Sequence, residues 1–297
     1  MNDNIRNLIS SLSRNDYKTA KEYAKVICIQ DKSAANEKFR DNMINKLSES
    51  PLDMNTIPYE ISKYIIVEDV AHTFHEDRYY LSEDQRKLYV NILGMQKSCK
   101  KLKELDINYL NSTLLYGHSG TGKTMFAKYV AYKLGLPYVY IDFAQLVDSF
   151  LGGTAKHLGQ VLTYIRENGS SCLLMLDEVD CISINRSNSS NSGGDGEMNR
   201  TTISLMQELD RINNDGIVIA ATNRKEMIDT AFLRRFSIQH MFSPFTENEN
   251  EQMIMQFLST VGMNHLMSRC NQFTKGKSQA DIMNNVIRLI AADLLQS

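Results

Sequence analysis

No two cysteines in this chain stand in a C-x-x-C spacing. The five present, Cys28, Cys99, Cys172, Cys181 and Cys270, are odd in number and far apart, and three sit in apolar segments. That pattern argues against a disulfide framework or a cysteine zinc site and suits reduced, buried thiols. An excess of one charge is missing too, since 33 Lys and Arg against 35 Asp and Glu leave a formal −2. This balance gives no electrostatic reason to expect non-specific nucleic-acid binding, although a local basic groove stays open. No apolar run approaches the length of a bilayer span, and the polar start Met1-Asn2-Asp3-Asn4 is not a signal peptide. A soluble, cytoplasmic protein is expected. His72-Thr73-Phe74-His75-Glu76 lacks the zinc-protease spacing, because H-E-x-x-H would need a histidine at Tyr79. There is no internal repeat. At 297 residues the chain can bury a full core, as one large domain or two modest ones.

Hydrophobic spacing divides what is present into four stretches. Residues 1–50 read as three short amphipathic helices, with Ile5, Leu8, Ile9 and Leu12 on one face, then Tyr17, Ala20, Ala24 and Ile27, then Phe39, Met43 and Leu47. They form either a docking module or a helical extension packed on the body. Residues 51–71, with Pro51 and Pro58, read as a linker, although Tyr59 to Val70 alternates enough to hold a strand or two. Over residues 72–244 helices alternate with apolar strands at Leu114–Tyr116, Tyr138–Ile141, Cys172–Leu176, Ile217–Ala220 and Ile238–Phe242. Near-continuous apolar strands between helices predict an α/β domain whose parallel sheet is covered on both faces. Ser82-Glu83-Asp84-Gln85 is a capping box for a helix through Leu93, and Thr246-Glu247-Asn248-Glu249 opens a helical region, residues 245–297. Met253, Met255, Met263 and Met267 there read mostly as core filler. Ile184 to Glu197 is polar and glycine-rich, a flexible loop.

Gly117-His118-Ser119-Gly120-Thr121-Gly122-Lys123-Thr124 fits G-x-x-x-x-G-K-[ST] between an apolar strand and a helix. Glycines let backbone N–H groups converge on phosphate oxygens, and the helix N-terminus adds positive potential. Lys123 would reach the terminal phosphates and Thr124 would ligate Mg²⁺. A loop that only turns a strand into a helix would not need the lysine. A nucleoside triphosphate is the expected ligand.

Other residues suit hydrolysis. Leu173-Leu174-Met175-Leu176 leads into Asp177-Glu178, with Asp177 54 residues after Lys123. Asp177 at the strand tip would hold the Mg²⁺ hydration shell beside Thr124, and Glu178 would act as general base on the attacking water. The strand at Ile217 runs into Asn223, whose amide would orient that water. Arg234 and Arg235 follow, flanked by Phe232 and Phe236. Two arginines between apolar anchors suit a finger that stabilises a neighbouring subunit's γ-phosphate. The plainer alternative is a salt bridge to a nearby acid such as Asp229.

From about His72 onward these residues resemble the AAA+ ATPases and, within them, the AAA subfamily of ring-forming protein remodellers. Gly117–Thr124 resembles Walker A, with His118-Ser119 where that family has a double proline. Leu173–Glu178 resembles Walker B. Ile217–Phe236 resembles the second region of homology, with Asn223 at sensor 1 and Arg234 and Arg235 at the finger positions. Ser278-Gln279-Ala280-Asp281 resembles the Ser-Gly-Ala-Asp start of the sensor-2 helix, with Gln279 in place of glycine. Phe150-Leu151-Gly152 resembles the aromatic–hydrophobic–glycine loop that grips polypeptide in the central pore, and Asp195–Arg200 lies where a second pore loop occurs.

The resemblance implies a P-loop NTPase core over 72–244, a small helical lid over 245–297 and an N-terminal helical module over 1–50. It implies ATP and Mg²⁺ as ligands, a homo-oligomeric ring, expected to be a hexamer, and a polypeptide substrate. A partner protein or protease would act in trans. The alternative is a nucleic-acid-associated ATPase such as a helicase loader or transposition helper, which shares the fold but needs no aromatic pore loop.

Overall fold

The computed structural model describes residues 3–13, 17–33, 36, 39–40, 43–44, 57–147, 153–168, 172–182, 193–212, 216–275 and 278–295. The chain falls into two compact units, Met1–Asp53 and Met54–Ser297.

In the first unit α1 (Asp3–Ser13) and α2 (Tyr17–Gln30) pack on each other, and Asn4 Nδ2 donates to Gln30 Oε1 at 2.9 Å. Most of the predicted third helix lies outside the described residues. The expected stripe on α1 is only partly covered: Leu8 is half-buried, whereas Ile5, Ile9 and Leu12 are exposed. A two-helix hairpin has little surface with which to bury its own apolar face.

The second unit is built on a six-stranded sheet. Its strands are β1 (Ile65–Glu68), β2 (Asn111–Tyr116), β3 (Tyr138–Ile141), β4 (Leu173–Leu176), β5 (Ile217–Thr222) and β6 (Ile238–Met241), in the order β1-β3-β4-β5-β2-β6. All neighbours pair parallel except β1, which runs antiparallel to β3 with Ile65 opposite Ile141. The sheet is mostly parallel, as the alternation of strands and helices predicts, and the alternating stretch Tyr59 to Val70 supplies its antiparallel edge strand. Burial alternates along β1, with Ile65 and Val67 inward, as a one-sided edge strand requires. The central β4 and β5 are buried at every position, as the unbroken Leu-Leu-Met-Leu and Ile-Val-Ile-Ala-Ala-Thr runs demand.

The helices that position the site are α3 (Glu83–Glu104), α4 (Lys123–Leu134), α5 (Thr154–Asn168), α6 (Gly193–Leu209), α7 (Glu247–Thr260) and α8 (Gln279–Leu294). The Ser82 capping box forms as expected, with Gln85 N donating to Ser82 Oγ at 3.2 Å. The helix runs past Leu93, because Leu88, Ile92 and Cys99 continue one buried face across Gly94. Of the stretch expected to be a loop, residues 184–192 lie outside the described residues, and from Gly193 the chain is helical, in α6. Helix α3 packs on β2, α4 on β4 and β5, and α5 on α6.

A core of Leu88, Ile92, Leu115, Phe126, Val130, Tyr138, Met175 and Ile219 fills one side of the sheet. A separate cluster of Met253, Ile254, Leu258, Leu266, Cys270, Ile282 and Val286 holds the C-terminal helices together, with Met263 and Met267 packed against it. Met255 is instead exposed. Cys99, Cys172 and Cys270 are buried free thiols.

Candidate functional site

The segments singled out in the sequence converge at the carboxyl ends of β2, β4 and β5. After β2 the chain turns through Gly117 (φ 141°) and Gly120 (φ 77°) before α4 begins. A Cβ on Gly117 would lie 2.1 Å from the Phe242 carbonyl oxygen, and one on Gly120 would lie 2.6 Å from Ser278 Oγ. Glycine is therefore demanded at both by space as well as by backbone angle.

Lys123, the first residue of α4, is 7% exposed, and its ammonium donates to Gly117 O (2.8 Å), His118 O (2.9 Å) and Asn223 Oδ1 (2.7 Å). Burial pushes this ammonium below the ordinary lysine value, while Asp177 and Asp180 pull the other way. Thr124 Oγ1 donates to Asp177 Oδ2 at 2.6 Å. Parallel pairing of β2 with β5 and of β5 with β4 makes this meeting possible, bringing residues 53 apart in sequence side by side. Asp177 Oδ1 accepts from the Glu178 amide at 3.0 Å, and Glu178 itself is exposed in a left-handed conformation (φ 52°). A non-glycine residue held there costs of order 1–3 kcal/mol, and such positions cluster at functional sites.

These groups line a cleft of about 630 Å³ that has a second, apolar wall. Tyr79, Tyr80, Phe245, Met253, Phe257 and Met283 supply it from the entry to α3 and from the C-terminal helices. No local motif marks those residues, because they are scattered over more than half the chain. The C-terminal helices also touch the glycine loop directly, with Ala280 N donating to Gly120 O at 3.0 Å. Gln279 is 6% exposed, and its Nε2 donates to Ser243 O at 3.3 Å, so this departure from glycine is packed between lid and core.

The arginine pair lies elsewhere. Ser112 Oγ donates to Arg235 O at 2.6 Å and accepts from Ser237 N at 3.1 Å, which ties the pair to the amino end of β2. From Ser112 to Gly117 is five residues, and at roughly 3.3 Å per residue that step spans about 16 Å. Arg235 is locked in a bidentate pair, Nε to Asp210 Oδ1 at 3.1 Å and Nη2 to Asp210 Oδ2 at 3.0 Å. This is the salt bridge to a nearby acid that the sequence offers as the plainer alternative, made by Asp210; the Asp229 side chain accepts from Ala231 N at 2.7 Å and caps the short helix Thr230–Leu233. Arg234 is exposed and has no side-chain partner among the described residues. Phe150, Leu151 and Gly152 lie outside the described residues. Asp195–Arg200 belongs to α6, and Arg200 is exposed.

A glycine loop between strand and helix, a buried lysine and a Thr–Asp pair at the sheet's carboxyl edge make this a P-loop NTPase fold. Residues 113–244 match the family described as "ATPase family associated with various cellular activities (AAA)". The segment 113–244 is therefore a domain of the AAA+ ATPase superfamily, a superfamily of ATP-hydrolysing enzymes. Among its relatives, a proteasome-activating nucleotidase of Methanoculleus marisnigri is 27% identical over 241 residues, covering 73% of this chain and 58% of that protein. A proteasome-activating nucleotidase of Methanococcus maripaludis is 33% identical over 183 residues, covering 61% of this chain and 42% of that one. This chain thus spans about half the length of the curated relatives it matches. A solved chain from the "Structure of E. coli MS115-1 HORMA:CdnC:Trip13 complex" superposes with a TM-score of 0.60 at 19% identity, covering 81% of this chain and 91% of that one, which is a likeness of fold.

Proposed function

We propose that this chain binds and hydrolyses ATP in the cleft at the carboxyl ends of β2, β4 and β5, and that the hydrolysis drives remodelling of a polypeptide. The observation that carries the reading is the convergence of Lys123, Asn223, Thr124 and Asp177 within direct hydrogen-bond contact. Lys123 would exchange the carbonyls of Gly117 and His118 for β- and γ-phosphate oxygens, and the amides of residues 117–124 would cradle the rest of the triphosphate. Thr124 and Asp177 offer a hydroxyl and a carboxylate, hard oxygen donors that fit Mg²⁺, with Asp177 acting through water. Mg²⁺ bound there would neutralise charge on the phosphates. Glu178, exposed at the mouth, would take the proton from the attacking water, and Asn223 would orient that water.

The arginines support a site completed by a neighbour. Anchored at the far end of β2 from the glycine loop, Arg234 is poorly placed to reach the phosphates of its own subunit. Its guanidinium, exposed and without a side-chain partner among the described residues, suits the γ-phosphate of the next copy in a homo-oligomeric ring, taken to be a hexamer. Arg235, already paired with Asp210, would steady the segment that presents it.

The relatives are named for activating proteasomes, and by analogy a partner protease acting in trans fits this chain. Phe150, Leu151 and Gly152 would grip the substrate, the helices of residues 1–50 would select it, and the work would take place in the cytoplasm. Two variants test this. Glu178→Gln should keep ATP affinity while lowering turnover by about 10²–10⁴. Phe150→Ala should leave basal hydrolysis near normal yet remove its stimulation by unfolded protein. Stimulation of the unaltered chain by DNA but not by polypeptide would replace this reading with a nucleic-acid helper.

A further inference from the structure

One buried hydroxyl joins three segments of the cleft, and none of the roles assigned above uses it. Thr222, the last residue of β5, is 1% exposed. Its Oγ1 donates to Asp180 Oδ1 at 2.8 Å and accepts from Arg224 N at 2.9 Å. Its carbonyl oxygen accepts from Gly117 N at 3.3 Å. Thr222 therefore contacts the first residue of the glycine loop, the turn that follows Glu178 and the residue that follows Asn223. Asp180 sits in the single turn Val179–Cys181, directly after Glu178. The hydroxyl and this carboxylate thus bridge the segment bearing the base to the segment bearing Asn223, whose Oδ1 holds Lys123 at 2.7 Å.

We infer that Asp180 and Thr222 are a positioning pair that sets Asn223 against Glu178, so that losing their hydrogen bond lowers turnover without weakening nucleotide binding. The inference rests on the hydrolytic reading above. Its physical basis is that the carboxylate and the amide must share one water, whereas phosphate binding depends on the glycine loop and Lys123. A threonine is suited to this because one oxygen can donate and accept at once. Valine fills the same space and can do neither. A displacement of about 1 Å between reacting groups can cost about 10²-fold in rate.

The test uses the full chain with Mg²⁺ and ATP for turnover and a fluorescent ATP analogue for affinity. Thr222→Val and Asp180→Ala should each lower kcat by about 10- to 100-fold with affinity within about threefold of the unaltered chain. Thr222→Ser should restore most of the loss, and the double variant should be no worse than either single change, because both remove one bond. A Thr222→Val chain with near-normal kcat would overturn the inference. So would a fall in kcat and affinity together that serine fails to rescue, or losses that multiply in the double variant. Unaltered protein and Glu178→Gln are measured alongside. If the unaltered chain has no turnover, or Glu178→Gln matches it, the hydrolytic reading fails and takes this inference with it. If both behave as proposed and only the Thr222 and Asp180 variants do not, the positioning role alone is wrong.

Discussion

The two ends of one strand, β2, carry opposite arrangements of positive charge. At its carboxyl end Lys123 is buried, held by two carbonyls and an amide oxygen, and surrounded by groups that arrive from β4 and β5. At its amino end Arg235 is clamped by Asp210 while Arg234 projects with no side-chain partner among the described residues. A buried cation so fully engaged suits a fixed ligand. An exposed, uncommitted one beside a braced neighbour suits a group presented to something outside the chain. On the reading proposed above, the contrast predicts that a single copy holds nucleotide yet hydrolyses it poorly.

The largest effect should come from the buried end. Lys123→Ala removes the cation seated against the loop carbonyls and should abolish detectable ATP binding by calorimetry. Retained binding would mean that the backbone amides suffice. At the other end, Arg234→Ala should leave binding intact and lower hydrolysis by about 10³- to 10⁵-fold, the range supplied by finger arginines in phosphoryl transfer. Arg235→Ala sharpens the distinction between the two. Its pair with Asp210 is part-exposed, so the direct stability cost should stay at or below about 1 kcal/mol in denaturant melts. Its effect on hydrolysis should be smaller than that of Arg234→Ala, because it acts by steadying the segment. Equal losses from the two arginines would show that the Asp210 pair opens and that both reach the phosphate.

The glycine-loop side of the cleft was more legible in the sequence than its apolar wall or the sheet's margins. Strand β3 begins and ends where its aromatic and branched run predicts, and β4 and β5 could be found because unbroken apolar runs have few other uses in a chain of this composition. Lys123, Thr124 and Asp177 carry spacing signals strong enough to be grouped before any fold is known. Strand β1 was legible only in part, since the alternation from Tyr59 to Val70 allows a strand but fixes neither its ends nor its antiparallel partner. The start of α6 was hidden by Gly-Gly-Asp-Gly, a composition that favours loops, although the chain is helical there. Long-range partners carried no signal at all. Nothing local links Arg235 to Asp210 or Thr222 to Asp180, because the sheet's crossovers bring them together across 25 and 42 residues.

In the proposed ring one copy supplies the pocket and the next supplies the finger. This arrangement is tested most directly by mixing two inactive chains, Lys123→Ala with an intact Arg234 and Arg234→Ala with an intact pocket, and measuring ATP hydrolysis across mixing ratios. Activity should recover, peak at intermediate ratios, where a good pocket meets a good finger, and vanish on dilution to monomers. No recovery at any ratio, in mixtures shown to co-assemble, would contradict the arrangement, as would hydrolysis by a monomeric unaltered chain at a rate per subunit independent of concentration.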